Sequence, residues 1–284
     1  MPTRIPLAPP TVPYLEDHCF NGRPVLPAVE AMELLAAAVA TKWPAVEAQL
    51  VTEARFDKFL PLGTGAEAAL WAELEMDSKG GNRVSAALTS RRRGKAGIAR
   101  TLTHAEMQFG GAGDADTMIE DLDPKPGGRD YFPPPSQDRI YAELVPFGPA
   151  YRNLESIAAW GSIGLRADVA APKLGGPFAL GSPFVLDAAF HAACVWGQRH
   201  AGMVAFPVGV GRRRILAPCR AGGRYRVDIQ VRERDPALLV FDLVIADQET
   251  GKTCEVVSGV EMRDVSGGRL KPPGWLAADS GAGA

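Results

Sequence analysis

The chain has 284 residues, of which 46% are hydrophobic and 23% are charged, a composition typical of a globular protein with a buried core. Its formal net charge of −2 excludes the strongly basic surface that binds nucleic acid or an anionic membrane. Four scattered cysteines without a C-x-x-C pair predict neither a metal site nor a disulfide framework, and favour a cytoplasmic location. With no apolar run long enough to cross a bilayer, small molecules and proteins are the expected partners.

The first 112 residues are predicted to form one apolar helix followed by an antiparallel meander. Apolar residues recur at steps of three and four over 28–40, as on one face of a helix, and Pro27 suits the first turn. Alternating segments then predict strands at 68–76, 83–90 and 97–109.

The same order recurs after a stretch, 113–136, whose Gly, Pro and Asp content predicts a linker. The second unit, 137–268, contains an apolar helix at 183–200, and the tail at 269–284 is expected to be flexible. Strands of this unit are predicted at 224–232, 238–246 and 254–262. Two such units favour a single α+β body built from two similar halves.

Three residues offer acid–base chemistry at the seam between these halves. His18 precedes the first helix, whereas Asp187 lies in the second helix with His191 one turn later. A pseudo-twofold arrangement would bring His18 and Asp187 face to face. Histidine is an available base near neutral pH, and burial on an apolar helix disfavours the charged form of the Asp187 carboxyl, which could then stay protonated and serve as an acid. Such a pair suits an elimination reaction.

Each of these residues also has a purely structural interpretation. His18 could be a loop histidine, and Asp187 could cap a helix that begins near Pro183. His191 could be a hydrogen-bonded histidine of the core. His104 and His200 lack partners in the sequence and are interpreted as surface or structural residues.

Three motifs together resemble a known family. His18, Gly22 and Pro27 form H-x3-G-x4-P, and Asp187 and His191 form D-x3-H. A third segment resembles the end of a Tyr-Gly-Pro-x-Phe motif: Gly148, Pro149, Ala150 and Tyr151. In this order, over roughly 13–265, they resemble the dehydratase domains of polyketide synthases and polyunsaturated fatty acid synthases, which are double hotdog folds.

The resemblance implies a reaction and its site. His18 would take the α-proton of a β-hydroxyacyl thioester, and Asp187 would protonate the β-hydroxyl so that water leaves. His191 would hold the Asp187 carboxyl, and Gly22 would let the backbone approach the substrate closely. Further substrate contacts would come from Pro27, Phe147, Gly148, Pro149 and Tyr151.

The resemblance also implies partners. No metal or redox cofactor is expected, because the substrate arrives on the phosphopantetheine of an acyl carrier protein. Neighbouring synthase domains and a second copy of the chain, giving a homodimer, are further candidate partners.

The chain departs from the family where Val145 and Phe147 replace two tyrosines. The substrate hydrogen bond that the family makes there is either missing or supplied by another hydroxyl, with Tyr141 and Tyr151 as candidates. Loss of this hydroxyl keeps open a non-catalytic scaffold role. A product-template-like aldol cyclase, which uses a similar His/Asp pair, is the other alternative.

Arginine clusters give a further prediction. The run at 212–214 could receive the phosphopantetheine phosphate or an acidic carrier protein through Arg212, Arg213 and Arg214. The alternative is a solvated loop, and the same alternative applies more strongly to the run at 91–93.

Overall fold

The computed structural model describes residues 2–8, 11–62, 69–77, 82–93, 99–111 and 133–276. Its first half contains β1 (Thr3–Leu7), β2 (Cys19–Phe20), β3 (Arg23–Pro24), β4 (Leu50–Arg55), β5 (Ala69–Met76), β6 (Arg83–Arg93) and β7 (Ala99–Gly110). Its second half contains β8 (Leu154–Gly161), β9 (Gly164–Ala170), β10 (Phe206–Ile215), β11 (Arg224–Asp235), β12 (Leu238–Asp247) and β13 (Thr253–Arg263).

One long sheet joins the two halves. Eleven strands pair in the order β1-β5-β6-β7-β4-β10-β13-β12-β11-β9-β8, and β2 pairs separately with β3. The antiparallel β4–β10 pair is the seam, with Leu50 opposite Arg214 and Arg55 opposite Gly209. Every register in this sheet is antiparallel, as the meander pattern of the sequence predicts.

Each half wraps its strands around one long helix. Helix α1 (Ala28–Lys42) packs on β5, β6 and β7, and helix α2 (Pro183–His200) packs on β8 to β12. The apolar spacing of α1 buries Val29, Met32 and Leu35 completely. The two helices also contact each other, so the halves share one core in an α+β double hotdog arrangement.

Several predicted elements differ from the structure. Strands β1, β4, β8 and β9 were not predicted, and the arginine run at 212–214 lies in β10 rather than in a loop. Most of the predicted linker, 113–132, and the end of the tail, 277–284, lie outside the described residues. The first part of the tail packs on the body, because Leu276 is fully buried. Within the described residues, no helix is long and apolar enough to span a membrane.

Candidate active site

A short hairpin holds His18 in place between the two halves of the protein. Strands β2 and β3 pair through a turn at Asn21 and Gly22, whose φ angles of 50° and 70° fit the two left-handed positions of a type I′ turn. The hairpin returns Val25 to His18, where the Val25 N–H donates to the His18 carbonyl at 2.9 Å. The His18 ring in turn donates from Nδ1 to the Val25 carbonyl, also at 2.9 Å.

These contacts determine the protonation state of His18. A carbonyl oxygen can only accept a hydrogen bond, so Nδ1 carries the ring proton and Nε2 keeps its lone pair. Burial lowers the pKa of His18 below its ordinary value, although Asp187 opposes this shift. The imidazole is therefore neutral near pH 7, with a basic nitrogen at Nε2.

Helix α2 supplies the acidic partner of the site. Asp187 lies in the second turn of this helix, which begins at Pro183, so the capping interpretation is wrong. His191 follows one turn later, with its Nε2 atom 3.0 Å from Asp187 Oδ2. Both side chains are buried, and the two atoms are close without being aligned for a linear hydrogen bond. Asp187 Oδ2 and His191 Nε2 are therefore buried polar atoms that can still form hydrogen bonds.

The pKa of Asp187 differs from the sequence-based expectation. Burial raises it, but the His191 and His18 imidazoles offset that effect and hold the pKa below the ordinary value for aspartate. The resting carboxyl is therefore ionised, and the interpretation in which burial keeps it protonated is corrected. Periodicity alone could not reveal this, because the two imidazoles come from different halves of the chain.

An aromatic ring separates the two histidines. Phe147 stacks on His18 with ring centroids 4.4 Å apart and on His191 with centroids 4.9 Å apart. The backbone after Phe147 is held by Asp17, whose carboxylate accepts the Ala150 N–H at 2.8 Å. Gly148 is required beside it, because a Cβ atom there would lie 2.3 Å from Asp17 Oδ1. The second half is thus tied to the residue next to His18.

These groups open onto one cavity of about 410 Å³. His18, Asp187 and His191 line it together with Pro27 and Phe147. Its remaining wall is mostly apolar, and its larger apolar side chains are Leu26, Phe56, Phe59, Leu60, Leu88, Phe190, Phe206 and Met262. The cavity therefore combines a basic nitrogen and a carboxyl with space for an apolar chain.

Other predicted site residues lie away from this cavity. Gly22 belongs to the hairpin turn and is exposed, with no neighbour within 4 Å of an added Cβ, so its role is to return Val25 to His18. Gly148, Pro149 and Tyr151 are not among the described residues that line the cavity. The Tyr151 ring packs edge-on against His18, and its buried hydroxyl forms no hydrogen bond with the described residues. Tyr141 points its hydroxyl at His191 instead of into the cavity.

The arginine run does not form one surface. Arg213 is 1% exposed and forms a buried ion pair with Glu255 at 2.9 Å. The prediction that this residue contacts a carrier protein is therefore wrong. Strand alternation turns Arg212 and Arg214 to the opposite face, where Arg214 pairs with Glu47. Carrier-protein contacts by these two residues stay a prediction.

The sequence did not single out several residues of the site. Asp17 contacts a segment more than a hundred residues away, so no local pattern marks it. His104, interpreted as surface or structural, is buried, lines the cavity and has Nε2 2.7 Å from Ser90 Oγ. No cluster of three or more His, Cys, Asp or Glu side chains suited to a metal ion occurs within the described residues.

Fold and site together define a double hotdog protein with a histidine and a carboxylate meeting at the seam of its halves. Two family models match the sequence, "Polyketide synthase dehydratase domain" at 4–91 and "Polyketide synthase dehydratase N-terminal domain" at 134–272. The chain belongs to the polyketide synthase dehydratase family. Among curated proteins, none matches the sequence.

Solved structures support the same fold. The chain is similar to the dehydratase domain of PpsC from Mycobacterium tuberculosis, with 21% identity, a TM-score of 0.69 and 91% of each chain covered. It is similar to the RzxB dehydratase domain from Pseudomonas fluorescens, with 19% identity, a TM-score of 0.65 and coverage of 86% of this chain and 87% of the other. An inactive His-to-Phe mutant of the CurJ dehydratase gives 16% identity, a TM-score of 0.67 and coverage of 92% and 89%.

Proposed function

We propose that this protein removes water from a β-hydroxyacyl thioester carried by an acyl carrier protein and leaves an α,β-unsaturated acyl thioester. The observation that carries the proposal is the shared cavity, in which the neutral His18 imidazole of one half meets the Asp187 carboxyl of the other. A base and an acid on either side of one substrate are what an elimination requires.

The proposed reaction runs between these two groups. His18 Nε2 takes the α-proton, and the electron pair of that C–H bond forms the double bond as the β-carbon–oxygen bond breaks. Asp187, in its protonated form, gives its proton to the departing hydroxyl, so the products are water and the unsaturated thioester. Backbone N–H groups at the start of α1, where Ala28 lines the cavity, are suited to polarise the thioester carbonyl.

Two features support an acyl thioester as the substrate. The cavity is lined mostly by apolar side chains, which suits an acyl chain better than a sugar or a nucleotide. A similar structure, the PpsC dehydratase domain, was solved in complex with C12:1-CoA, with 22% identity to this chain, a TM-score of 0.65 and 92% of each chain covered. This structural similarity shows the fold alone, and we propose an acyl thioester as the ligand of this protein.

The decisive experiment incubates the protein with 3-hydroxyacyl thioesters of several chain lengths on a carrier protein or a pantetheine mimic. Mass spectrometry should show the loss of one water from the acyl group. His18→Phe and Asp187→Asn should each lower kcat/KM by about 100- to 10,000-fold, because each removes one half of the proton transfer.

Matched variants serve as controls. His200→Gln changes a histidine of α2 that does not line the cavity, and Asp138→Asn changes an exposed aspartate, so both should keep wild-type rates. No loss of water at any chain length, or full activity in His18→Phe, would refute the proposal. Conversion of poly-β-ketone chains to rings would instead favour the aldol cyclase.

The pH dependence gives a second test. Catalysis needs one proton on the His18–Asp187 pair, yet both residues have a pKa below the ordinary value. The reactive, singly protonated pair therefore becomes more populated as the pH falls. We expect kcat/KM to rise as the pH is lowered from about 8 towards 6, and to fall at more acidic pH, once the pair takes up a second proton.

A further inference from the structure

Tyr141, His191 and Asp187 lie in one buried line behind the cavity. The Tyr141 hydroxyl is 3.3 Å from His191 Nδ1, and Nε2 of the same ring is 3.0 Å from Asp187 Oδ2. All three residues are at least nine-tenths buried. We propose that Tyr141 is a positioning residue that acts on the Asp187 carboxyl through His191, an inference that rests on the proposed function.

Backbone contacts fix the direction of the Tyr141 hydrogen bond. The Leu154 N–H donates to the phenol oxygen at 2.8 Å. Burial raises the pKa of Tyr141 well above its ordinary value, so the phenol keeps its proton. With the Leu154 amide donating to the oxygen and the phenol proton retained, the Tyr141 O–H donates to His191 Nδ1.

That donation determines the tautomer of His191. With Nδ1 accepting, the ring proton of the neutral imidazole lies on Nε2, the nitrogen beside Asp187 Oδ2. A protonated Nε2 cannot take a proton from the carboxyl. When Asp187 is protonated, its proton is therefore available to the substrate and not lost to its neighbour.

The local fold keeps Tyr141 in place. It lies in a single π-helical turn, Ile140–Leu144, in which Val145 N–H donates to the Ile140 carbonyl five residues earlier. Such turns are frequent at functional sites. The Gln198 side chain of α2 donates to the Leu144 carbonyl at 3.0 Å, which ties this turn to the helix that carries Asp187.

The surroundings of this line leave few other groups that could set the tautomer. Apart from Asp187, which is itself part of the line, two groups near it are His18, which faces His191 across the Phe147 ring, and Arg152, a charged residue that acts on Tyr141. Neither donates to His191 Nδ1 among the contacts of the described residues. Tyr141 also does not line the cavity, so it acts without touching the substrate.

The test compares Tyr141→Phe with Tyr225→Phe. Tyr225 is a buried tyrosine of β11 whose hydroxyl likewise accepts a backbone N–H, from Arg220 at 2.6 Å, but it is not part of the site. Tyr141→Phe should lower kcat about tenfold while KM changes less than about twofold, and Tyr225→Phe should keep both constants. In a His191→Gln background, Tyr141→Phe should have no further effect on kcat.

A spectroscopic readout makes the inference independent of turnover. Nitrogen NMR of histidine-labelled protein should show His191 as the Nε2–H tautomer in the wild type and as a mixture in Tyr141→Phe, with no change in Tyr225→Phe. An unchanged His191 tautomer in Tyr141→Phe would refute the positioning role even if dehydration is observed. If no substrate is dehydrated but the tautomer shifts, the proposed function fails and the positioning of His191 by Tyr141 stands.

Discussion

The central helices of the two halves both carry buried carboxyl groups, but their pKa values shift in opposite directions. On α1, burial raises the pKa of Glu30 to about 7, with a hydrogen bond from Tyr14 opposing it only in part. On α2, burial acts on Asp187 in the same sense, yet its pKa is lowered because two imidazoles lie beside it. Each of the two carboxyl residues is only about one-twentieth exposed.

The comparison shows that the partner, more than the burial, decides the charge of a buried carboxyl in this core. Glu30 has a neutral phenol and the negative Asp187 as neighbours, so its charge is compensated only in part, by the Tyr14 hydrogen bond. Asp187 has bases on two sides. The charge of Asp187 in the second half therefore depends in part on His18 in the first half. Replacing the neighbours of Glu30 and of Asp187 should shift the pKa values of the two carboxyl groups differently.

The largest expected effect follows from removing the imidazole next to Asp187. His191→Leu leaves the carboxyl buried with His18 as its remaining base, so its pKa should rise. At about pH 8, the free energy of unfolding should fall by roughly 3 kcal/mol, because the buried carboxylate loses its nearest polar neighbour. Chemical denaturation at several pH values would measure this.

The control for this variant lies on the same helix. His200→Leu replaces a histidine that stacks on Trp196 at the far end of the helix from Asp187, so its cost should not depend on this carboxyl. The loss in His191→Leu should shrink at about pH 5, where the Asp187 carboxyl can take up a proton. An equal loss at both pH values would point to packing instead of charge.

Removing the charge of Glu30 on α1 should increase the free energy of unfolding, in contrast to the loss expected for His191→Leu. Because the pKa of Glu30 is about 7 in the folded protein and ordinary, near 4.5, when unfolded, the folded state binds the extra proton. Stability from this group is therefore complete below about pH 4.5 and is lost as the pH rises through about 7. Glu30→Gln should raise the unfolding free energy at about pH 8 by up to roughly 3 kcal/mol.

This stabilisation should vanish near pH 4, where glutamate and glutamine are both neutral. Exposed Glu249→Gln, in the turn after β12, should change stability little at either pH. If Glu30→Gln destabilises the protein at about pH 8, the carboxylate is compensated by its neighbours and the contrast between α1 and α2 is lost. The same denaturation series measures all three proteins.

The sequence predicted the two long helices well because their apolar spacing is uninterrupted. The bounds of α2 were predicted at 183–200 as observed, and α1 extends two residues beyond the predicted 28–40. Strand β10 was missed because glycines at 209 and 211 and three arginines conceal its alternation. Arg213 of this strand can be buried because Glu255 of the neighbouring strand neutralises its charge. Such a contact between two strands cannot be predicted from the sequence of one strand.

The candidate site was predicted in part. Motif spacing singled out His18, Asp187 and His191, and these three residues line one cavity. The roles of Gly22 and Tyr141 could not be predicted, since each depends on a contact with a distant backbone or side chain. The charge of Asp187 could not be predicted for the same reason.

A smaller effect is expected where the second half is tied to the His18 segment. Gly148→Ala would place its Cβ atom 2.3 Å from Asp17 Oδ1, so Asp17 must move and release the Ala150 N–H. We expect a loss of about 1–2 kcal/mol in unfolding free energy, the cost of one such hydrogen bond. Gly176→Ala, with no neighbour within 4 Å, is the matched control. Equal stability of the two variants would show that Asp17 is dispensable as a tie between the halves.

The smallest effect concerns the ring between the base and the acid. Phe147→Tyr keeps the aromatic plane that stacks on His18 and His191. It also adds the hydroxyl that the family motif leads us to expect at this position. Stability should change by less than about 0.5 kcal/mol, and KM for a β-hydroxyacyl thioester should fall by up to about fivefold through one added hydrogen bond. Phe59→Tyr adds a hydroxyl elsewhere on the same cavity and should leave KM unchanged. A higher KM in Phe147→Tyr would mean that the stacked ring leaves no room for the hydroxyl, and that this site gained an apolar spacer at the expense of a substrate contact.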